Sequence, residues 1–391
     1  MTSAVAGLVM ILGLLGAFGS GSDGALTAPH DTAEEAARGI LPGAHVAVHG
    51  NVQGAMAALD GLLREVEGLK VVTRDKELRE GVVAGRAMLG VALAQLATEL
   101  GVDLRRDVGS VTLSFEFPSA DEVRMLLRAR GNLAATRIDE ALGSADSTYG
   151  GVRLYPIPDA PELADHVVAL LDSTTLVVGP REAVHQSVAR KPSKADPKRA
   201  NGRLASSVRK GTRGFIYLAA PPWAVEGLGE SPSMRAAADL LSGISHLVYT
   251  VDSSGAHLRV TTSSPAAGRR VGHLLRASAA ILSMVDAATD ALVHGLLGIA
   301  PLLPDGELDP LLRDALTDEA AMEELGQWVK ARFGGRATVK VGGKGSTVDM
   351  ELSNPASVGS LMLPVLGGAG AALWWSAREG GGSTEPADTF D

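Results

Sequence analysis

Few residue spacings in this chain suit chemistry, and each has a plainer reading. His45 and His49 bracket the run HVAVH. On a strand, residues four apart share a face but lie about 13 Å apart at about 3.3 Å per residue, too far to ligate one metal ion. Pro42 and Gly43 just upstream argue against a helix, so the expectation is a solvent-facing pair on a strand. The run GGKGST at 342–347 has a superficial phosphate-loop look. Such a loop needs Lys followed directly by Ser or Thr, between a strand and a helix. Here Gly345 follows Lys344, and alternating residues on both sides make it a hairpin turn. Ser207 and Lys210 have the S-x-x-K spacing of some acyl-transfer enzymes, without that family's companion motifs. G-x-S-x-G and H-E-x-x-H do not occur. No catalytic, cofactor-binding or metal-ligating residue is assigned, and no cofactor is expected.

Composition narrows the field further. The chain has 391 residues, enough for two domains, and its 46% apolar and 21% charged content is that of a globular protein. Aromatics make up 4%, so Ala, Val and Leu must build the core and base-stacking platforms are scarce. The net charge of −9 disfavours nucleic acid as a partner. Cysteine is absent, which excludes disulfides, thiolate metal sites and a lipid-modified N-terminal cysteine.

Both ends are apolar. Residues 1–22 carry no charged side chain, and 4–18 is nearly pure Ala, Val, Leu, Ile, Met, Gly and Phe. That length suits the hydrophobic region of a signal peptide, with Gly19–Ser22 as a cleavage zone, although no Lys or Arg precedes it; the alternative is a buried N-terminal helix. Residues 352–377 are also uncharged and end in Trp374 and Trp375 beside Arg378, the pattern of a membrane span with an interfacial belt. Pro364 and several glycines weaken a free helix there, and a final core helix is the alternative. The organisation read from these features is a signal peptide or anchor at 1–25, a first α+β domain at 26–190, a basic linker at 191–213 and a second α+β domain at 214–354. An apolar segment at 355–377 reads as a span, and 378–391 as a disordered acidic tail.

The middle of the chain repeats. Residues 247–266 and 337–356 align at a constant offset of 90, with Gly255 on Gly345, Leu258 on Val348, Val260 on Met350 and a closing Ser-x-Pro-Ala. Each copy reads as two alternating strands around a Gly turn, and 110–131 is a weaker third relative. Helical patterns precede all three, at 77–100, 233–243 and 311–332, and follow two of them, at 132–142 and 266–297. Further strands are expected at 44–49, 150–156, 166–171, 174–179 and 214–220. The fold class is therefore α+β: tandem antiparallel-sheet units with helices on one face and repeated helix–hairpin–helix elements. The Ala-rich helices at 82–97 and 266–297 read as core, or else as walls of an apolar cavity.

The segment 190–213 holds nine basic residues and one acid, Asp196, a local charge of +8 in a net-acidic chain. With Pro192, Pro197 and Gly202 it reads as a solvated linker, or as a patch for anionic lipid or an acidic envelope protein. The runs DLRRDVGSVTLSF (103–115), Arg130–Gly131–Asn132, YGGVRLYPI (149–157), LLDSTTLVVGPREAV (170–184) and ANGRLASSV (200–208) resemble exported α+β repeat proteins of high-GC, myxobacterial-type bacteria with no assigned activity. That resemblance implies export and an α+β fold, and carries over no site residues. The expected function is a non-enzymatic, membrane-tethered interaction or structural protein outside the cytoplasm, in the cell envelope. The alternatives are a carrier for an apolar ligand such as a lipid and, third, a hydrolytic enzyme.

Overall fold

A computed structural model describes residues 28–353, except 134–139, 158–164, 190–195, 283–317, 334–337 and scattered positions, most of them between 75 and 104. The apolar N-terminal run, the segment 355–377 and the tail 378–391 lie outside the described residues. No helix among the described residues is long and apolar enough to cross a membrane.

The strands are β1 (Val46–Asn51), β2 (Val108–Glu116), β3 (Arg124–Gly131), β4 (Ser147–Tyr149), β5 (Val152–Pro156), β6 (His166–Asp172), β7 (Thr175–Pro180), β8 (Gly214–Leu218), β9 (Ile244–Val251), β10 (Ala256–Thr262), β11 (Thr338–Lys344) and β12 (Thr347–Ser353). They form one sheet in the order β11-β12-β10-β9-β8-β1-β2-β3-β7-β6-β5-β4, antiparallel throughout. The helices are α1 (Ala33–Gly39), α2 (Val52–Gly68), α3 (Lys70–Arg74), α4 (Arg181–Ala189), α5 (Ala200–Ser207), α6 (Pro222–Glu230), α7 (Arg235–Ser242), α8 (Pro265–Leu282) and α9 (Glu319–Phe333). The α+β class with antiparallel strands is thus the fold of the chain.

The order conceals a duplication. Outward from the β1–β8 pair, one direction reads β1, β2, β3, β7, β6 and the other β8, β9, β10, β12, β11. In each half a first strand leads through helices to one hairpin, and a further connection leads to a second hairpin, docked by its later strand. The halves meet where β1 and β8 pair antiparallel, Val46 opposite Leu218 and His49 opposite Phe215, so an approximate twofold axis passes through this seam. The hairpins 247–266 and 337–356 are both present, as β9–β10 and β11–β12. They lie side by side, with Leu258 opposite Met350 and Val260 opposite Val348. All four side chains are buried, and Arg259 pairs with Asp349 at 2.7 Å on the other face. The topological counterpart of β9–β10 is β2–β3, and that of β11–β12 is β6–β7. The N-terminal half adds β4–β5, whose two-residue turn uses Gly150 and Gly151, both at positive φ, the backbone a tight hairpin requires.

Each sheet face is covered. On one, Val48, Ile216, Tyr249, Leu258 and Val348 pack with Leu240 of α7 and Val271 of α8, while Val111 and Leu113 pack with Val52 and Met56 of α2. On the other, Ala47, Phe215, Tyr217 and Val177 pack under three short helices through Ala36 of α1, Val184 of α4 and Leu204 of α5. This corrects two sequence readings. The basic stretch 191–213, which reads as a linker, contains α5, where Ala200 and Leu204 are buried four residues apart with buried Val208 as the C-cap, so hydrophobic burial fixes this helix on the sheet. His49, expected in solvent, is 2% exposed because the face it shares with Ala47 lies beneath this second layer.

Candidate functional site

At one end of the central strands the seam brings together five charged side chains, Glu116, Arg124, Lys198, Arg199 and Arg203. Pro42 and Gly43 turn α1 into β1. The His45 N–H donates to the Phe115 carbonyl at 2.8 Å, and the His45 carbonyl accepts from the Ala219 N–H at 2.7 Å. These bonds level the ends of β1, β2 and β8. The Ala200 N–H donates to the Pro42 carbonyl at 2.9 Å, seating the start of α5 over the same end. A cleft of about 560 Å³ opens there, on the face covered by the short helices.

Its lining is cationic: Arg124, Lys198, Arg199 and Arg203 face one carboxylate, Glu116. Two of the cations are partly neutralised at the rim, Arg124 by Glu122 at 2.8 Å and Arg199 by Asp196 at 3.8 Å. The Lys198 backbone N–H donates to Asp196 Oδ1 at 2.9 Å, but no carboxylate among the described residues forms an ion pair with the Lys198 ammonium or the Arg203 guanidinium. Arg203 sits in the first turn of α5, where the helix dipole adds to its charge, and bonds the Tyr217 hydroxyl. Burial raises the Tyr217 pKa against the pull of Arg203. His246, stacked on Tyr217 at 5.8 Å, is pushed down to about 4 by burial and then by the Arg203 charge. His45 is also depressed, burial outweighing the attraction of Glu116. Its Nδ1 accepts the Phe117 N–H at 3.0 Å, so the proton of the neutral ring lies on Nε2 and no lone pair is left for the cleft. The positive potential therefore comes from the guanidinium and ammonium groups of the lining.

The spacings singled out in the sequence fall elsewhere or do other things. His49 lies at the far end of β1 from His45, hydrogen-bonded through Nδ1 to Thr112 Oγ1 at 2.9 Å and stacked on Phe215. The 342–347 run is the β11–β12 hairpin, Lys344 opposite Thr347, with no helix at the turn. Ser207 donates to the Arg203 carbonyl at 3.0 Å, closing the last turn of its own helix, and Lys210 is exposed in the following turn. Among the described residues, no group of three or more His, Asp or Glu is placed to hold a metal ion. The basic stretch did contain Lys198, Arg199 and Arg203. Glu116, Arg124 and Tyr217 carried no signal, because strand pairings far apart in sequence bring them together.

A second polar cluster is structural. Asp31, whose side chain is 1% exposed, accepts from Arg128 Nε at 2.7 Å and Arg130 Nη1 at 2.8 Å, and its N–H donates to Ser110 Oγ at 2.8 Å. Burial alone would raise its pKa, but Arg128 and then Arg130 more than offset that and hold the carboxyl below the usual range. The cluster pins the segment leading into α1 onto β2 and β3.

No family model and no curated protein matches this chain. Two solved structures, described as crystal forms III and IV of TP0453, superpose with TM-scores of 0.34 and 0.32 at 9% identity. Each alignment covers 83% of this chain, and 96% and 95% of the respective structures.

Proposed function

We propose that the protein is a non-enzymatic, membrane-tethered interaction protein of the cell envelope, outside the cytoplasm, and that the seam cleft is where it holds an anionic group of its partner. The observation that carries this reading is the pair Lys198 and Arg203, whose side-chain charges form no ion pair with a carboxylate among the described residues and which line a cleft at one end of the seam. Two fixed cations backed by a helix N-terminus favour phosphate or carboxylate. A binding role fits better than hydrolysis, because the His45 lone pair is committed to the Phe117 N–H and no base faces the cleft from it. The polar lining also suits an anionic group better than a wholly apolar ligand. Export and tethering rest on the apolar runs at 4–18 and 352–377. A reporter fused after Ile40 in a Gram-negative host is expected to be active outside the cytoplasm, with the full chain in the membrane fraction. Full-length chain confined to the soluble cytosol contradicts the location, and a chain that turns over ester substrates, with loss of turnover in Glu116→Gln, contradicts the binding role.

A further inference from the structure

The seam end carries an apolar feature that the cleft alone does not use. Trp223, in the first turn of α6, is 37% exposed, and Val123, in the β2–β3 turn, is 54% exposed. The β2–β3 register, which pairs Glu116 with Arg124, sets Val123 across the turn from Phe117. The Trp223 indole N–H donates to the Phe117 carbonyl at 3.1 Å, at the other end of the short turn that holds Val123. Phe117 lies 6.2 Å from Phe115 and 6.1 Å from His45 between ring centres, and His45 lines the cleft. Arg124 follows Val123 directly and lines the cleft, with Lys198, Arg199 and Arg203 on the α5 side.

We infer that this end of the molecule docks on an anionic phospholipid bilayer, Trp223 and Val123 entering the interface while a lipid phosphate occupies the cleft. The inference rests on the cleft being an anion site. Charge complementarity selects the partner: a tryptophan and a valine flanked by cations match the layered chemistry of a bilayer surface, where indoles sit at headgroup depth and anionic phosphates lie beside them. The hydrogen bond to Phe117 fixes the indole without burying its ring, so little ordering is needed on contact. Glu116, Asp121 and Glu122 lie at the same end, and Glu122 is engaged by Arg124. Attraction therefore depends chiefly on Lys198 and Arg203, each expected to change vesicle affinity about fivefold.

The absence of cysteine makes the test direct. In the full chain, Val123→Cys carrying a polarity-sensitive dye is titrated with vesicles of phosphatidylglycerol and phosphatidylcholine, or of phosphatidylcholine alone. Leu274→Cys, exposed on α8 across the sheet, is the control and keeps any terminal tether in place. The dye at 123 is expected to shift to the blue with anionic vesicles only, the shift fading at about 0.5 M salt, while the dye at 274 stays unchanged. Trp223→Ala is expected to weaken vesicle binding about tenfold and leave soluble glycerol phosphate binding unaltered, whereas Arg203→Gln weakens both. Equal shifts at 123 and 274, or none at 123, overturn the docking. A shift that follows protein concentration without vesicles assigns the rim to a second copy of the chain and also overturns it. Glycerol phosphate bound without a shift at 123 removes the docking and leaves the cleft reading, and failure to bind either removes both.

Discussion

Lowering the pH below about 6.5 should destabilise this fold through His49. The ring is enclosed in the central sheet, stacked 5.3 Å from Phe215 and bonded to Thr112. Burial pushes its pKa down to about 4, against the pull of the Asp31 carboxylate. In the unfolded chain the same ring titrates at the ordinary 6.5. Because the folded value lies below the unfolded one, the unfolded state binds more protons between them, and stability falls as the pH drops from 6.5 towards 4. At roughly pH 5 the unfolded ring is almost wholly protonated and the folded one almost wholly neutral, so His49 alone removes about 2 kcal/mol relative to neutral pH. His246, buried and held at about 4, contributes similarly, for a combined loss of about 4 kcal/mol, a large part of an ordinary domain's stability. His45 and His166 are depressed in the same direction by partial burial. Equilibrium urea unfolding at about pH 7.5, 6 and 5 measures the effect, with His49→Gln as the comparison, and the variant is expected to take up about one proton fewer on unfolding. Stability flat over this range, or an unchanged proton uptake in His49→Gln, refutes the buried neutral histidine.

Two further outcomes follow from the cluster beside it. Asp31→Asn leaves Arg128 and Arg130, 22% and 29% exposed, facing each other without their shared carboxylate; the expected loss is about 3 kcal/mol by denaturant unfolding. Because the Asp31 pKa is depressed, the wild-type advantage over this variant should persist above about pH 4 and disappear as the carboxyl protonates. Gly109→Ala places a Cβ against the Pro29 carbonyl oxygen and 2.9 Å from the Ala28 carbonyl oxygen, so the strap holding Asp31 must lift; a loss of about 2 kcal/mol is expected, with faster amide exchange at Asp31 as the local signature.

Much of the fold was legible because alternation is a local signal. Val111, Leu113 and Phe115 announce β2, and the repeated Gly turns at Gly255 and Gly345 announce two hairpins that the sheet indeed contains. What the alternation could not carry was which faces are covered and which strands meet. The run HVAVH is an apolar core bracketed by two histidines that suggest an exposed side, yet β1 lies at the centre of a sheet with helices on both faces, and His49 is satisfied by Thr112. The same limit hid the seam, since β1 and β8 are separated by most of the N-terminal half and neither marks the other. For α5 the composition misled: five arginines and lysines within 198–210 outweighed the four-residue recurrence of Ala200, Leu204 and Val208 that places the helix on the core. The candidate site was half visible for the same reason. Its α5 side is a contiguous basic run, while Arg124, Glu116 and Tyr217 reach it only through strand pairing.

The central claim, that the seam cleft holds an anionic group through Arg203, is met most directly by calorimetric titration of the full chain with glycerol phosphate, wild type against Arg203→Gln. One saturable site is expected in the wild type, weakened about tenfold in the variant and by added salt, with the unfolding transition of the two proteins otherwise alike. Equal affinity in the two proteins, or no saturable binding in the wild type, contradicts it.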